Sequence, residues 1–337
     1  MKLIKTEEAV GHVLCHDMTQ IIRGVSKGPR FRKGQIVKEE DIPVLLSMGK
    51  EHLYVYEMKE GVLHENEAAD RLAALCGTEG FCWSETKEGK IELRAEYDGV
   101  FMVDSDRLID VNSVGELIVA TRRGNTAVKK GDKLAATRII PLVIDEAVIE
   151  EAERVAGKEP LLRLMPYKLK RAAIVTTGNE VLKGRIKDTF TPVVEEKLQQ
   201  FGIETVYREM SGDGVENVAT SVRRAQAQDV DIILCTGGMS VDPDDNTPGG
   251  IRASGADIVS YGAPVLPGAM FMVGYFGDVP VLGLPGCVMF AKTTMFDKVL
   301  PRLAAGERLS KRDIVVLGEG GLCHGCDTCT FPKCQFA

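Results

Sequence analysis

Three glycine-containing turns in the second half of the chain restrict its possible folds more than any other feature. Each turn follows a short apolar run of β type and precedes a stretch that suits a helix. The turns are Thr177-Gly178-Asn179-Glu180, Thr236-Gly237-Gly238-Met239-Ser240 and Gly283-Leu284-Pro285-Gly286. Strands that alternate with helices in this way form a parallel sheet covered on both faces. Because open sheets of this kind bind ligands beyond the carboxyl ends of their strands, we expect the turns to converge on one pocket suited to an anion.

The rhythm of strands and helices divides the chain into three predicted parts. Residues 1–160 are rich in alternating stretches and predict an α+β domain, with a linker over 158–167. Residues 168–306 predict an α/β domain with a three-layer, mostly parallel sheet, closed by a helix over 288–303. Residues 307–337 form a short cysteine-rich tail.

Composition places the chain among ordinary globular proteins. At 337 residues, 44% hydrophobic and 27% charged, it is long enough for two cores and excludes collagen-like, disordered and membrane classes. No apolar run reaches the roughly 18 residues that cross a bilayer, and the first residues lack a signal-peptide core. We therefore expect a cytoplasmic protein without membrane contact. The net charge of −7 provides no basic field that would recruit nucleic acid.

The first turn places a carboxylate, Glu180, next to a glycine. Thr177 or Asn179 could satisfy backbone amides at the start of the following element. A carboxylate beside an anion site is unfavourable unless it holds a cation, accepts N–H groups of the ligand or acts as a base. The alternative is that Glu180 is a surface charge at the start of a helix.

The second turn combines glycines and a hydroxyl with an acidic segment. The groups are Gly237, Gly238 and Ser240, followed by Asp242, Asp244 and Asp245, with Asp213 on a neighbouring strand-to-helix loop. Such a loop could bind phosphate through its amides and hydroxyl while its carboxylates bind Mg²⁺. The alternative is an Asp-rich turn that caps a helix from about Thr247, with Asp213 as the N-cap of another helix.

The third turn leads into the predicted closing helix, with Cys287 near its start. The positive end of the helix dipole would lower the pKa of this thiol and make it reactive or metal-binding. A small buried cysteine is the alternative.

Taken together, these motifs resemble the molybdopterin-binding domain of molybdopterin molybdotransferases over about Lys170 to Leu303. The segments that carry the resemblance are 177–181, 185–189, 237–241 with Asp245, 267–268 and 283–286. The resemblance implies an enzyme that binds the phosphate of the pterin dithiolene and inserts molybdate, releasing adenylate from adenylylated molybdopterin with Mg²⁺. It also implies a homodimer and, as partners, pterin, molybdate and other proteins of cofactor assembly.

The resemblance assigns roles to individual residues of this chain. Glu180, Asp213 and Asp245 take the positions of functional carboxylates. The positions of pterin and phosphate contacts are taken by Thr177, Gly178, Asn179, Asp188, Gly237, Gly238, Ser240, Pro267, Gly268, Pro285 and Gly286.

The chain also departs from the family pattern. The family usually carries lysines around its Pro-Gly motif, whereas Pro267-Gly268 has apolar neighbours, so Lys292 or Arg185 would have to supply the charge. The Asn-Pro that follows Gly-Leu-Pro-Gly in the family is replaced by Cys287-Val288. The family's early Asp-Gly-Tyr-Ala signature is matched only weakly, by residues 97–101. Two other functions therefore stay open: a non-catalytic carrier or sensor of the finished cofactor, and a nucleotide pyrophosphate hydrolase as in competence-damage-type proteins.

The tail contains the motif C-x2-C-x2-C-x4-C, formed by Cys323, Cys326, Cys329 and Cys334. Four thiolates at this spacing can bind one tetrahedral Zn²⁺ or an iron–sulfur cluster, and the spacing is closer to the ferredoxin run than to paired zinc knuckles. His324 could replace one thiolate. The alternative is a reduced, unstructured tail.

Overall fold

The computed structural model describes residues 2–22, 26–56, 60–240 and 245–336. The chain divides into two compact units. The N-terminal unit comprises Met1–Glu96, Val103–Gly124 and Lys130–Arg163, and the C-terminal unit comprises Tyr97–Met102, Asn125–Lys129 and Leu164–Ala337.

The N-terminal unit consists mainly of antiparallel strands. Its strands are β1 (Lys2–Lys5), β2 (Val13–Leu14), β3 (Met18–Ile22), β4 (Ser26–Phe31), β5 (His52–Tyr56), β6 (Val62–His64), β7 (Phe81–Trp83), β8 (Lys90–Ala95), β10 (Leu117–Thr121), β12 (Lys133–Ile139) and β13 (Val143–Asp145). They pair in the orders β1–β5–β2, β10–β12–β8–β7, β3–β4 and β13–β6. The helices are α1 (Ile42–Ser47), α2 (Glu65–Cys76), α3 (Ser105–Ser113) and α4 (Glu146–Ala156).

A small three-stranded sheet lies largely in the C-terminal unit. Its strands are β9 (Gly99–Val103), β11 (Thr126–Val128) and β14 (Leu162–Pro166), which pair in the order β11–β9–β14. The expected linker over 158–167 is therefore wrong for residues 162–166. The apolar residues Leu162 and Leu164 are buried there and stabilise a strand, although proline follows at the end of the segment.

The main sheet of the C-terminal unit has six strands. They are β15 (Arg171–Thr177), β16 (Glu204–Ser211), β17 (Ile232–Thr236), β18 (Asp257–Tyr261), β19 (Met272–Phe276) and β20 (Val279–Leu284), and their order is β16–β15–β17–β20–β19–β18. Strands β16, β15, β17 and β20 are parallel, whereas β19 is antiparallel to both β20 and β18. This arrangement confirms the predicted α/β class with a mostly parallel sheet.

Helices cover both faces of this sheet. They are α5 (Asn179–Leu182), α6 (Phe190–Gln199), α7 (Val215–Gln226), α8 (Thr247–Ala253), α9 (Met295–Ala304) and α10 (Lys311–Val315). Ile174 packs in one core cluster with residues of α6 and α9, and its neighbour Val175 packs in a second cluster with residues of α7 and α8. Each such fully buried aliphatic side chain contributes about 1.5–3 kcal/mol to folding. The alternation explains the near-continuous apolar run of β15, because both of its faces are buried.

The closing helix begins later than the sequence prediction. Residues Gly286–Met289 form one turn of 3-10 helix, and α9 starts only at Met295. Thr294 and Asp297 form a capping box that fixes this start: the Thr294 hydroxyl accepts the amide of Phe296 at 3.2 Å, and the Asp297 carboxylate accepts the amide of Thr294 at 2.7 Å. The predicted helix over 288–303 is therefore wrong in its first turns.

Within the described residues, no helix combines the length and the apolar character needed to span a membrane.

Candidate functional site at the carboxyl edge of the sheet

The three glycine turns lie at one edge of the main sheet. Thr176 pairs with Thr236 and Thr236 with Leu284, so strands β15, β17 and β20 end side by side. Met272, the first residue of β19, pairs with Gly283 near the end of β20. Since β19 is antiparallel, the loop over 262–271 that contains Pro267 and Gly268 reaches the same edge. The geometry therefore brings together the segments that the sequence singled out.

The first and second turns pack directly against each other. A Cβ atom at Gly237 would lie 2.4 Å from the carbonyl oxygen of Thr177, and one at Gly238 would lie 2.8 Å from the hydroxyl of Thr247. Both glycines have positive φ, +84° and +52°. The Thr177 hydroxyl donates to the carbonyl of Thr236 at 3.1 Å and lies 2.9 Å from the Thr247 hydroxyl. These contacts require glycine at both positions and fix the path of the second turn.

Asp213 is connected to the first turn. Its Oδ2 accepts a hydrogen bond of 3.1 Å from the backbone amide of Asn179, at the start of α5. Glu180 is exposed, and its Oε1 lies 2.6 Å from the point that a Cβ at Gly178 would occupy. Asp213 thus holds the loop after β16 to the loop after β15, and the Glu180 carboxylate lies against the glycine of its own turn.

Asp245 faces a tyrosine that sequence reasoning missed. The Tyr261 hydroxyl donates to the carbonyl of Met239 in the second turn at 3.2 Å. Burial raises the pKa of Tyr261, the nearby Arg252 opposes this rise, and the negative charge of Asp245 adds to it. The sequence carried no signal for Tyr261, because β18 belongs to the antiparallel edge that was not predicted.

The rest of the second turn is partly outside the described residues. Ser240 is exposed, which leaves its hydroxyl accessible. Asp242 and Asp244, both considered as Mg²⁺ ligands, lie in the segment 241–244 that the structure does not describe. Met239 anchors the turn, since its Cε lies only 2.5 Å from the point that a Cβ at Gly283 would occupy.

Asp188, which is half-buried, caps the start of α6. Its carboxylate accepts the amides of Phe190 and Thr191 at 2.9 and 3.0 Å and the hydroxyls of Thr191 and Thr176 at 2.5 and 3.3 Å. Burial alone would raise the pKa of Asp188, but these hydrogen bonds outweigh it and the pKa is lowered. The observed role is structural, and a contact of Asp188 with pterin stays a prediction.

The third turn has an exposed glycine with free space next to its Cα atom. Pro285 is buried, whereas Gly286 is exposed and a Cβ there would meet nothing within 4 Å. Cys287 is half-buried, and burial raises the pKa of its thiol. The lowered pKa suggested for a helix start is therefore wrong, and the alternative of a small buried cysteine is met in part, because Cys287 is half-buried.

The Pro267–Gly268 turn rests on the start of α9. The carbonyl of Pro267 accepts the amide of Met295 at 3.1 Å. Gly268 has φ +125°, and a Cβ there would lie 2.6 Å from the Cβ of Met295. This close approach explains why the turn needs glycine.

Two cations were expected to replace the family's missing lysines. Arg185 is exposed in the segment between α5 and α6. Lys292 instead donates from Nζ to the carbonyl of Asp327, in the cysteine tail, at 2.8 Å. In this structure Lys292 is engaged by the tail.

Metal-binding groups are not assembled in advance. Across residues 2–22, 26–56, 60–240 and 245–336, no three His, Cys, Asp or Glu side chains stand together in a set that could hold a metal ion. Glu180, Asp213 and Asp245 therefore share the sheet edge without forming a three-carboxylate group. Their oxygen atoms suit Mg²⁺ chemically, and the ion stays a prediction.

Part of the chain matches two known families of protein domains. Residues 173–305 match the family model described as a probable molybdopterin binding domain. The matched range contains the main sheet except for the first two residues of β15, together with all the glycine turns and α9. Residues 3–57 match a domain of unknown function (DUF8806).

Curated relatives cover a short part of the chain. The CinA-like proteins of Mycobacterium marinum and Mycobacterium tuberculosis are each 36% identical to it over 77 residues, which is 23% of this chain and 18% of the relative. The match thus spans less than a fifth of the length of these relatives.

Solved structures similar to part of the chain include two proteins named MoaB. The molybdopterin biosynthesis enzyme MoaB of Thermus thermophilus is 21% identical, with a TM-score of 0.33, over 41% of this chain and 98% of its own. The tungsten cofactor synthesizing protein MoaB of Pyrococcus furiosus is 22% identical, with a TM-score of 0.31, over 36% of this chain and 84% of its own.

Proposed function

We propose that the C-terminal unit binds molybdopterin at the carboxyl edge of its sheet and acts in molybdenum cofactor biosynthesis, inserting molybdate into adenylylated molybdopterin. The observation that carries the proposal is the meeting of the glycine turns at one sheet edge, within the range that matches the molybdopterin-binding family model. Amides at strand ends provide the donors that a phosphate requires.

Under this proposal, some residues of the site contact the phosphate or the pterin, and others hold the Mg²⁺ ion that neutralises the phosphate charge. The exposed Ser240 hydroxyl and the backbone around Gly238 and Gly286 would contact the phosphate or pterin. Glu180 and Asp245 would hold Mg²⁺, which offsets the repulsion between carboxylates and phosphate. Asp213 would act by positioning Asn179 through the 3.1 Å hydrogen bond.

The experiment is a molybdate-dependent assay of adenylate release from adenylylated molybdopterin. We expect Glu180→Gln and Asp245→Asn to lower the rate by about 100-fold or more, as loss of a charged catalytic group does. Glu204→Gln and Asp229→Asn are matched controls, because both exposed acids flank the opposite ends of strands β16 and β17. Full activity in the Glu180 and Asp245 variants would exclude the proposal.

A carrier or sensor of finished cofactor is the second candidate. The observation that favours it is the engagement of Lys292 by the tail, which removes one of the cations expected to assist molybdate insertion. Under this function the protein binds molybdopterin tightly, and no adenylate appears from the adenylylated form. Isothermal titration with molybdopterin beside the release assay separates the two functions.

A nucleotide pyrophosphate hydrolase, as in competence-damage-type proteins, is the third candidate, and it is tested in a separate assay without pterin. Relatives that match part of the chain are named CinA-like protein. This function predicts release of a nucleoside monophosphate from a nucleotide pyrophosphate that contains no pterin. A homodimer, a cytoplasmic location and contacts with other cofactor-assembly proteins remain proposals, and sedimentation analysis tests the first of them.

A further inference from the structure

The cysteine-containing part of the tail, residues 321–336, is held at both ends to the rest of the C-terminal unit. At its start, the amide of Leu266 donates to the carbonyl of Gly321 at 2.7 Å, and the amide of Cys323 donates to the carbonyl of Leu266 at 2.8 Å. At its end, Phe336 is only 3% exposed. The Lys298 ammonium lies 4.5 Å from the centre of the Phe336 ring and donates to the backbone carbonyl of Phe336.

The middle of the tail is also attached. Lys292 binds the carbonyl of Asp327, and the Thr293 hydroxyl lies 3.9 Å from the sulfur of Cys329. Cys323 and Cys334 are half-buried and pack against the core cluster of the unit. The alternative of an unstructured tail therefore does not hold for residues 321–336.

The docked tail borders a cavity that is open to solvent and has the four cysteines on its wall. Cys323, Cys326, Cys329 and Cys334 all line this cavity of about 630 Å³, together with His324. This space is large enough for a metal ion or a small cluster.

We infer that this anchored loop is a four-thiolate metal centre that closes on Zn²⁺ or on an iron–sulfur cluster. The thiols give up their protons and supply the soft ligands that these metals prefer. Among the described residues, the tail included, no three His, Cys, Asp or Glu side chains stand together as a ligand set. Zinc–sulfur bonds of about 2.3 Å would bring the sulfurs to about 3.8 Å from one another, so the loop must contract on binding. Residues 323–336 contain no helix or strand, and the contraction therefore breaks no regular secondary structure.

The charges around the cavity suit such a centre. Four thiolates around Zn²⁺, or around an iron–sulfur cluster, carry a net negative charge. Lys292 and Lys333 line the cavity and provide opposite charge beside it. Pro267 lines the cavity as well, so the metal centre adjoins one of the candidate pterin-contacting turns. The centre itself requires neither pterin nor molybdate.

The test is metal analysis of the full chain purified without oxygen, with acid-labile sulfide and the visible spectrum as further readouts. We expect about one zinc, or about four iron with four sulfide, per chain. The double variant Cys326→Ser/Cys329→Ser should lower the bound metal at least fivefold, because it removes two of the four ligands. Both residues are exposed, so their replacement leaves the core unchanged. Cys15→Ser/Cys82→Ser is the matched control and should retain the wild-type content.

A second measurement does not depend on variants. Hydrogen exchange of the Leu266 and Cys323 amides is compared in metal-stripped protein before and after addition of Zn²⁺, or of ferrous iron with sulfide under anaerobic conditions. We expect slower exchange with the metal that the centre takes, because contraction strengthens the anchor at the start of the loop. Unchanged exchange with both metals, or equal metal contents in the two double variants, overturns the inference. Pterin titration of the same samples reports separately on the proposed function.

Discussion

The hydroxyl oxygens of Thr177 and Thr247 lie 2.9 Å apart, and this contact joins the end of β15 to the start of α8. Both side chains are buried at the edge of the sheet where the glycine turns meet. The pair therefore sets the separation between the first and second turns. Its contribution can be measured apart from any catalytic step.

Thr247→Val should destabilise the protein by about 1–3 kcal/mol, because it leaves the Thr177 hydroxyl with one polar partner fewer in a buried position. Urea unfolding of the protein measures the change. Thr78→Val serves as the control, since Thr78 is exposed in a loop outside the helices and strands and a surface change of this kind stays within about 0.5 kcal/mol. Equal stability of the two variants would show that the hydroxyl pair is dispensable.

Gly237→Ala should cost at least about 1–3 kcal/mol, because its Cβ would lie 2.4 Å from the carbonyl oxygen of Thr177 and its φ of +84° disfavours alanine. Gly286→Ala is the matched control, because its Cβ would meet open space. Thermal unfolding of the two variants measures the difference in their stability. If Gly286→Ala keeps its stability and loses affinity for molybdopterin, the loss belongs to the ligand contact and not to folding.

Asp188 should make the stability of the C-terminal unit depend on pH. Hydrogen bonds lower the pKa of its carboxyl in the folded state, so their contribution is complete above the unfolded value of about 3.9 and is lost as pH falls through the folded value. Asp188→Asn should therefore lower stability more at about pH 7 than at about pH 3. Urea titrations at both pH values measure the difference, and an equal loss at both would contradict the capping role.

Cys287 should react slowly with thiol reagents. Burial raises the pKa of its thiol, so less thiolate is present near neutral pH. Mass spectrometry after brief exposure to iodoacetamide should show Cys82, which is exposed, labelled well before Cys287. Labelling of Cys287 at the rate of Cys82 would restore the reactive thiol that the sequence suggested.

Local sequence patterns were sufficient to predict the alternating strands and helices of the C-terminal unit. The strand–turn–helix rhythm predicted β15, β17 and β20 with their glycine turns, because buried parallel strands require apolar residues on both faces. The start of α9 was also available locally, since Thr294 and Asp297 form a capping box. The helix predicted over 288–303 was too long, because the apolar residues before Thr294 were included although the capping box marks the start of the helix.

The amino-acid sequence by itself determined the α/β class, the glycine turns and the four clustered cysteines, since each depends on residues close together in the chain. Tertiary structure decided which turns meet, the antiparallel edge that brings Tyr261 to Met239, and the docking of Phe336 on Lys298. Those outcomes depend on contacts between residues that are separated along the chain, such as Met239 with Tyr261 and Lys298 with Phe336, and their energy appears only when the strands are ordered in the sheet.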